Sequence, residues 1–371
     1  MIRFLDLAID EKSEKDRLIQ VFNSHLNSGR FITKDEHSEF EKKFADFINR
    51  KFCVGVNTGT DALVLALRLL NLPKGSNIIT SPFSWVASAT SIKLAGYNPI
   101  FLDVDEYLQL DLKVVEKFLE NSGNSVKAIL IPHLNGNVSD LEKLKLLKSK
   151  FDLKIIEDCA QAFSAFDENN IIAGSIGDIS AFSFNPMKVL GGLGDGGAIV
   201  FDNKEFLKRA YSLRHSGMCS LDGNTMKELS GNFRIDAMHS SFLEVRLDFF
   251  KSRINKKREL AKIYLNKLPK FVIPVIQDIE KSNLYCFQVI LPKKRDELKD
   301  FLIKNDIEVR IRHDFLITDL EQFSSSVVKN LENAKSIVGK ILCLPLHHRL
   351  NEDDVLTIVN SISKFYDDDF N

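Results

Sequence analysis

The feature that most constrains this chain is the alternation of short apolar runs with amphipathic stretches between residues 51 and 200. The runs are CVGV, NIIT, NPIFLDV, KAILIPHL, LKIIED, DISAFSF and GAIVF. The stretches between them, such as TDALVLALRLLNL and DLEKLKLLKSKF, have the apolar spacing of helices. Strands that alternate with helices in this way predict an α/β fold. We expect a mostly parallel, seven-stranded sheet covered by helices on both faces.

A charged amphipathic stretch at residues 247–268 predicts a connecting helix. After it, the regular alternation of apolar runs and amphipathic stretches ends. The segments LYCFQVILP, RDELKDFLIKN and IEVRIRH then predict a strand, a helix and a strand, and NEDDVLTIVNSISKFYDD predicts a capped terminal helix. We therefore expect a large domain over residues 1–248, including an N-terminal helical segment. A smaller C-terminal α+β domain would cover residues 249–371.

Composition excludes several classes of partner. The 371 residues include 50 basic and 51 acidic side chains, a balance that argues against a nucleic-acid-binding or acidic-membrane-binding surface. The N-terminus has no apolar signal region and no later stretch could span a membrane, which predicts a soluble, cytoplasmic protein. The cysteines lack C-x-x-C spacing and argue for reduced, mostly buried thiols and no metal site: Cys53, Cys159, Cys219, Cys286 and Cys343.

Polar residues fall where predicted strands end. Asp158, His133 and Ser183 each close such a run, and ligands of these sheets bind at the carboxyl ends of the strands. Lys188 follows Asp158 by thirty residues, in a Gly-rich loop. Pyridoxal phosphate chemistry needs this pair, because a lysine forms a Schiff base and a carboxylate keeps the pyridine nitrogen protonated. Taken singly, each residue also has a purely structural interpretation. Asp158 and His133 could be ordinary polar residues at strand ends, and Lys188 could be a solvated loop lysine.

Two glycine-containing segments suggest binding of an anionic group. In VNTGTDALVLALRLL, a turn precedes a helix whose free N–H groups, with Thr60, would bind an anion. The alternative is an ordinary cap by Thr60 or Asp61. In GGLGDGGAIVF, a G-x-G-x-x-G pattern suggests dinucleotide binding, but a strand-like run follows it instead of a helix. A loop that holds Lys188, or a structural turn, explains this segment better.

The segments NTGTDAL, EDCAQAF, FSFNPMK with GDGGA, GNFRID and LPLHHRLNEDDV occur in this order. Together they resemble the DegT/StrS family of nucleotide-sugar aminotransferases, which are pyridoxal-phosphate enzymes with the aspartate-aminotransferase (type I) fold. The resemblance runs along essentially the whole chain. It implies pyridoxal 5′-phosphate as cofactor. It also implies transfer of an amino group from L-glutamate to a nucleotide-linked keto sugar, in surface-glycan or amino-sugar biosynthesis.

The resemblance also implies roles around the cofactor ring. Lys188 would carry the cofactor and shuttle the proton, and Asp158 would pair with the pyridinium nitrogen. Gln161 would hydrogen-bond the ring hydroxyl. Trp85, the only tryptophan, occupies the aromatic position over the ring, although a single tryptophan also suits a core.

Further residues resemble the family's phosphate site. Thr60 and Asp61, through the N–H groups of their loop, and Ser183, through its hydroxyl, would hold the phosphate. Asn232 matches an asparagine that reaches the phosphate from the neighbouring subunit. This match implies a homodimer with shared active sites.

The substrate side departs from the family pattern. Asn135 stands where the family usually has Tyr, and Arg312 and His313 stand where it tends toward His-Tyr. With His133, these are the candidate substrate contacts. The GLGDGG segment resembles that of family members acting on 3-keto sugars more than the GEGG segment common among 4-keto enzymes, which implies amination at C3 in preference to C4. Two alternatives remain, an aminotransferase of a non-nucleotide ketose or cyclitol and a non-catalytic cofactor-binding regulator. Relatives that act as dehydratases have His in place of the lysine, which Lys188 argues against.

Overall fold

The computed structural model describes residues 1–32, 34–219 and 225–370. Its helices are α1 Lys12–Ser28, α2 Lys34–Ile48, α3 Gly59–Leu70, α4 Ala87–Leu94, α5 Leu112–Ser122, α6 Leu141–Lys150, α7 Lys204–Arg214, α8 Ala237–Arg246, α9 Phe250–Lys267, α10 Arg295–Lys304, α11 Glu332–Ile337 and α12 Glu352–Phe370. Its strands are β1 Phe52–Val56, β2 Asn77–Thr80, β3 Asn98–Leu102, β4 Val126–Pro132, β5 Lys154–Asp158, β6 Ile179–Ser183, β7 Gly197–Phe201, β8 Met218–Cys219, β9 Thr225–Met226, β10 Ile273–Pro274, β11 Phe287–Ile290, β12 Val327–Lys329 and β13 Ile341–Leu344.

The main sheet has eight strands in the order β1-β7-β6-β5-β4-β2-β3-β12. Strand β7 runs antiparallel to β1 and β6, and the other neighbouring strands are parallel. The predicted α/β class and mostly parallel sheet are therefore confirmed, and all seven predicted runs form strands. The predicted number of strands is wrong, because β12 adds an eighth strand by pairing with β3.

Helices cover both faces of this sheet because its central strands are apolar on both sides. In β4, Ile129 and Ile131 pack into a hydrophobic cluster with α2, α5 and α6. Ala128 and Leu130 of the same strand pack into a second cluster with α3, α4 and α7. Since successive side chains of a strand point to opposite faces, a continuous apolar run is what a doubly covered strand requires.

The C-terminal part of the chain builds a second, antiparallel sheet in the order β10-β11-β13. The predicted helices at α9, α10 and α12 are present, and α12 has the predicted cap, since the Asn351 and Asp354 side chains each accept the other's N–H at 2.9 Å. The prediction of a strand in IEVRIRH is wrong. Ile307 and Arg310 form only isolated bridges, to Ile2 and Cys343, and β13 is the strand that pairs with β11.

Helix α9 connects the two packed regions. Its first turns place Phe250 and Ile254 in the cluster beneath the main sheet, and its later turns place Leu260 and Tyr264 in the C-terminal cluster. The domain boundary at residue 249 stays a prediction.

Two further predictions concern the whole chain. In the ranges that the structure describes, no helix combines the length and the apolarity needed to cross a bilayer. Cys53, Cys159, Cys286 and Cys343 are free and buried, as predicted. The side chain of Cys219 lies outside the described residues.

Candidate active site

Polar side chains lie at the carboxyl edge of the main sheet. Asp158 closes β5 and Ser183 closes β6, and the two strands pair with Asp158 opposite Ala181. His133 directly follows β4, whose Pro132 pairs with Asp158. Ligands of open α/β sheets bind at this edge. The predicted co-location of these three strand ends is confirmed.

The Asp158 carboxylate is buried, and each of its oxygens has a hydrogen-bond donor. The Ser88 hydroxyl donates to Oδ2 at 2.7 Å, and the Ala160 N–H donates to Oδ1 at 3.1 Å. Ser88 also shares a 2.8 Å hydrogen bond with Ser84. These bonds hold the carboxylate in one orientation at the end of β5. Sequence reasoning missed Ser88, whose only signal is its place in a small-residue stretch after β2.

Lys188 lies in the loop between β6 and β7, and its amine contacts a tyrosine from the C-terminal part of the chain. Its backbone N–H donates to the Asn185 carbonyl at 2.8 Å, which closes a turn. The Nζ atom donates to the Tyr285 hydroxyl at 3.3 Å and lies 4.7 Å from the centre of that ring. Arg312 donates to the same hydroxyl at 2.7 Å. Tyr285, which sequence reasoning missed, therefore joins two of the predicted site residues.

His313 is buried beside this group, with its ring centre 5.0 Å from that of Phe83. Burial, together with the positive charges of Arg312 and Lys188, lowers the pKa of His313 to about 4. The imidazole is therefore neutral near pH 7. It can donate and accept hydrogen bonds there, but it adds no charge.

Gln161 and Asn135 are hydrogen-bonded to each other. Gln161 Oε1 accepts the N–H of Asn135 at 2.9 Å. The Asn135 side chain is buried, donates to Gln288 Oε1 at 2.5 Å and accepts from the Cys286 thiol at 3.2 Å. Both polar atoms of its amide thus have a partner within the protein, and the side chain is almost fully buried, which favours a structural role for Asn135 over a substrate contact.

The first residue of α3 lies so close to β6 that only glycine fits there. A Cβ atom on Gly59 would lie 2.6 Å from the Cβ of Ser183. As at other helix starts, the first N–H groups of α3, those of Gly59 and Thr60, have no intrahelical acceptor. These donors and the Ser183 hydroxyl therefore lie together, which is an arrangement that binds phosphate.

The cap of this helix differs from the one expected. Thr58 is the cap, because its hydroxyl accepts the Asp61 N–H at 3.0 Å. The alternative in which Thr60 or Asp61 serves as the cap is wrong. Gly197 opens β7, as expected from the strand-like run, and a Cβ atom there would lie 2.4 Å from the Thr58 carbonyl oxygen. The end of the Gly-rich loop therefore packs directly against the residue that caps α3.

Trp85 and Asn232 lie at the surface of the single chain. Trp85 is 64% exposed, so it is not a core residue, and its carbonyl accepts the N–H of Ser88 at 3.1 Å. Asn232 is exposed and accepts from Arg234 Nε at 3.0 Å. Among the described residues, no hydrogen bond joins either side chain to Lys188.

His133 is bonded within the protein at both ring nitrogens. Its Nε2 lies 3.1 Å from Glu157 Oε2, and its Nδ1 accepts the Ser139 N–H at 3.3 Å. The side chain is fully buried. The geometry favours a satisfied strand-end histidine over a substrate contact.

Glu157 is the partner that holds His133, and it also accepts backbone N–H groups from Gly174, Ile176 and Gly177. Burial alone would raise the pKa of Glu157, but the hydrogen bonds from His133 and from the N–H groups of Gly174 and Gly177 outweigh it and lower the pKa to about 2. A carboxyl whose pKa is depressed on folding stabilises the protein above its ordinary pKa of 4.5. That stabilisation is lost as the pH falls toward 2.

Replacing Glu157 with glutamine is therefore expected to lower the free energy of unfolding by roughly 2–4 kcal/mol at pH 7, because it leaves buried N–H donors without their charged acceptor. The difference from the parent should shrink below about pH 4.5, where the parent carboxyl begins to lose its contribution. Urea unfolding at pH 7 and pH 4 measures both effects. Glu120→Gln, at an exposed ion pair with Lys150, should change stability little. Equal stability of Glu157→Gln and the parent at pH 7 would contradict this account.

The sequence profile of the DegT/DnrJ/EryC1/StrS aminotransferase family matches residues 12–363. The chain belongs to this family. It is 31% identical over 369 residues to dTDP-3-amino-3,6-dideoxy-alpha-D-galactopyranose transaminase of Aneurinibacillus thermoaerophilus, covering 98% of this chain and 99% of the relative. It is 30% identical over 336 residues to dTDP-4-amino-4,6-dideoxy-D-glucose transaminase of Shigella dysenteriae, covering 88% of this chain and 89% of the relative.

Among solved structures, the chain is similar to DesV of S. venezuelae in complex with a ketimine intermediate. The TM-score is 0.91 at 28% identity, and the match covers 98% of each chain. The cofactor of DegT/DnrJ/EryC1/StrS aminotransferases is pyridoxal 5′-phosphate, so the predicted enzyme class and cofactor are confirmed. One relative is named for a 3-amino sugar and the other for a 4-amino sugar. The C3 preference therefore stays a prediction.

The residues of the site fit this cofactor. The N–H groups of Gly59 and Thr60 beside the Ser183 hydroxyl suit its phosphate. The fixed carboxylate of Asp158 suits a ring nitrogen, and the amine of Lys188 is available in the neighbouring loop.

Proposed function

We propose that this aminotransferase moves an amino group from L-glutamate to a keto group of a nucleotide-linked deoxy or acetamido sugar, at C3 in preference to C4. It would act in the cytoplasm, in the synthesis of amino sugars for surface glycans. The observation that carries the proposal is the joint presence, at one sheet edge, of the amine of Lys188, the fixed carboxylate of Asp158 and the anion cradle at Gly59 and Ser183. The named relatives support the class of acceptor.

In this proposal each residue acts on a particular part of the cofactor. Lys188 carries the cofactor and moves the substrate proton, and Asp158 keeps the pyridine nitrogen protonated. When bound, the cofactor accepts electrons from the substrate carbon. Gln161 bonds the ring hydroxyl, and Trp85 covers the ring face.

The phosphate would be held by Ser183 and by the start of α3, through the N–H groups of Gly59 and Thr60 and not through that of Asp61, which already donates to the Thr58 hydroxyl. Tyr285 would hold the amine of Lys188 through its hydroxyl, at the 3.3 Å separation seen. Arg312, bonded to the same hydroxyl, would then stand close enough to Lys188 to meet an anionic or hydroxylated substrate.

The proposal is tested in two half-reactions. L-Glutamate should convert the holoenzyme to its amine form and release 2-oxoglutarate. A nucleotide-linked keto sugar should then take up the amine and restore the starting absorbance. We expect a panel of dTDP-, UDP- and GDP-linked 3-keto and 4-keto sugars to give turnover with at least one 3-keto sugar. Turnover with 4-keto sugars alone would refute the C3 preference. Turnover only with free ketoses or cyclitols would refute the nucleotide-linked substrate.

We further propose a homodimer in which Asn232 reaches the partner's cofactor phosphate. The exposure of Asn232 and Trp85 in the single chain supports this, since a partner surface would cover them. Mixing Lys188→Ala and Asn232→Ala subunits should restore activity, to about a quarter of the parent's in an equal mixture, because each heterodimer keeps one intact site. Activity of the mixture and of each variant alone gives the measurement.

The control is the Asn232→Ala homodimer, which must itself be clearly impaired. Native mass spectrometry establishes that subunits exchange. Exchange without recovered activity would mean that each site is built from one chain.

A further inference from the structure

The Gly-rich loop between β6 and β7 lies against one imidazole ring, that of His239 in α8. A Cβ atom on Gly192 would overlap Nε2 of His239, and Cβ atoms on Gly194 and Gly196 would lie 3.4 Å and 3.5 Å from the same ring. Glycine is the residue that lets a backbone approach another group this closely. Glycines at three alternate positions of the loop thus leave the space that the His239 ring fills.

The ring contacts the loop as a neutral group. Burial lowers the pKa of His239, and the charge of Arg246 acts in the same direction, while the carboxylates of Asp236 and Asp195 oppose them. The imidazole is therefore neutral at pH 7. Its Nε2 atom is buried and has no hydrogen-bond partner in the part of the chain that the structure describes. The contact between this atom and the loop is one of shape, not of charge.

Two backbone hydrogen bonds tie the glycines to the start of the loop that carries Lys188. The N–H of Gly192 donates to the Phe184 carbonyl at 2.7 Å, and the N–H of Phe184 donates to the Gly196 carbonyl at 2.7 Å. The N–H of Gly192 is therefore already used within the loop. The residues that His239 contacts are the same ones that fix Phe184, the first residue after β6.

A side-chain hydrogen bond extends this connection to the turn of Lys188 itself. Asp195 stands between Gly194 and Gly196, and its Oδ1 accepts from Nδ2 of Asn185 at 2.7 Å. The carbonyl of Asn185 in turn accepts the N–H of Lys188 at 2.8 Å. A shift of the glycine backbone would move Asp195 and Asn185, and the backbone of Lys188 with them.

We propose that His239 is a positioning residue for Lys188, because its ring holds the Gly-rich loop in the place from which the amine reaches the cofactor. The inference rests on the role of Lys188 in the proposed function and adds what fixes the backbone beneath that residue. A displacement of a reacting group by about 1 Å can cost on the order of a hundredfold in rate. The competing explanation is a packing contact that stabilises the fold without affecting the lysine.

Three substitutions at position 239 test the proposal. In His239→Gln the amide can reach the place of Nε2, whereas in His239→Asn the shorter side chain reaches only the place of Nδ1. When pyridoxal 5′-phosphate is added to the cofactor-free protein, His239→Ala should form the borohydride-trappable linkage at least about tenfold more slowly than the parent. Its glutamate half-reaction should slow by about as much, with the KM for glutamate within about twofold. His239→Gln should restore most of both rates, and His239→Asn should not.

Met238→Ala is the matched control for the loss of a partly buried side chain from the same helix. Met238 packs against the cluster of Leu18, Phe242 and Val245. Its truncation should lower the Tm about as much as His239→Ala does, because both remove packed atoms. The rate of linkage should nevertheless stay within about twofold of the parent. Should His239→Ala not fold, the comparison of His239→Gln with His239→Asn decides the question.

A double variant tests the contact from the side of the loop. The φ of Gly192 lies outside the left-handed region, so alanine can adopt its backbone conformation. Gly192→Ala should still slow the linkage strongly, because its methyl group would overlap the His239 ring. Adding His239→Ala vacates that space and should make the double variant faster than Gly192→Ala alone. The recovery should be partial, because the Gly194 carbonyl oxygen would remain 3.1 Å from the new Cβ atom.

The outcomes separate this inference from the proposed function. A folded His239→Ala variant with a lower Tm but the parental rate of linkage would leave His239 as a packing contact and overturn the inference, while the role of Lys188 would stand. Equal rates for His239→Gln and His239→Asn, or rate losses that simply multiply in the double variant, would also overturn it. A parent that formed no trappable linkage on Lys188 would instead refute the proposed function, and the inference with it.

Discussion

Replacing Lys188 with alanine is expected to abolish both the covalent linkage of pyridoxal 5′-phosphate and transamination. The amine of Lys188 lies in the loop that follows β6, within hydrogen-bonding distance of Tyr285. Among the residues assigned to the cofactor, Lys188 alone offers a primary amine that can both link to an aldehyde and move the substrate proton. We expect a fall in turnover of at least about a thousandfold, or roughly 4 kcal/mol of activation free energy. The visible absorbance of the lysine-linked cofactor, which borohydride should eliminate in the parent, should be missing from the variant.

Lys188→Arg is the matched control for this experiment. It keeps a cation near Tyr285 but cannot form the linkage, so it should be as inactive as Lys188→Ala. If Lys188→Arg kept substantial turnover, the role of Lys188 would be its charge alone. Turnover of Lys188→Ala within about tenfold of the parent would place the linkage on another lysine.

Most of the main sheet could be predicted from the sequence, because buried parallel strands must be apolar on both faces. The runs that became β4 and β5 show this directly, since nearly all of their residues are buried. The eighth strand could not be predicted in this way. Val327 and Val328 of β12 are exposed and stand in a polar segment, so no local pattern reveals their pairing with β3.

The wrong prediction of a strand in IEVRIRH has a related cause. Apolar and charged residues alternate there, which is the pattern of a half-buried strand. The backbone of Ile307 instead meets Ile2, and Arg310 meets Cys343, each through a single bridge. The choice between these partners and a regular ladder depends on where the N-terminal segment lies, which a local pattern does not contain.

Some residues of the candidate site could likewise be located from the sequence, and others could not. Asp158 and Ser183 could be located because the ends of predicted parallel strands meet at one edge. Tyr285 could not, because it stands in an apolar run 97 residues after Lys188 and meets it only in the folded chain. Ser88, 70 residues before Asp158, is a second example. The residues that hold the predicted groups in place thus come from distant segments, where sequence spacing carries no information.

Replacing Asp158 with asparagine is expected to leave cofactor binding largely intact and to slow transamination on the order of a hundredfold or more, about 2.7 kcal/mol of activation free energy. Asparagine is nearly the same size and keeps an oxygen that can accept the Ala160 N–H, as Oδ1 does at 3.1 Å. A neutral amide cannot keep a pyridine nitrogen protonated, so electrons from the substrate carbon are stabilised less well. Single-turnover rates with L-glutamate, beside the cofactor content of the purified variant, measure the two effects separately.

Ser88→Ala is the control that separates the charge of Asp158 from its orientation. It removes the 2.7 Å hydrogen bond to Oδ2 but leaves the carboxylate, so the rate should fall far less, by about tenfold at most. If both variants lost rate equally, the orientation of the carboxylate would matter as much as its charge. A rate for Asp158→Asn within about twofold of the parent would mean that another group protonates the ring.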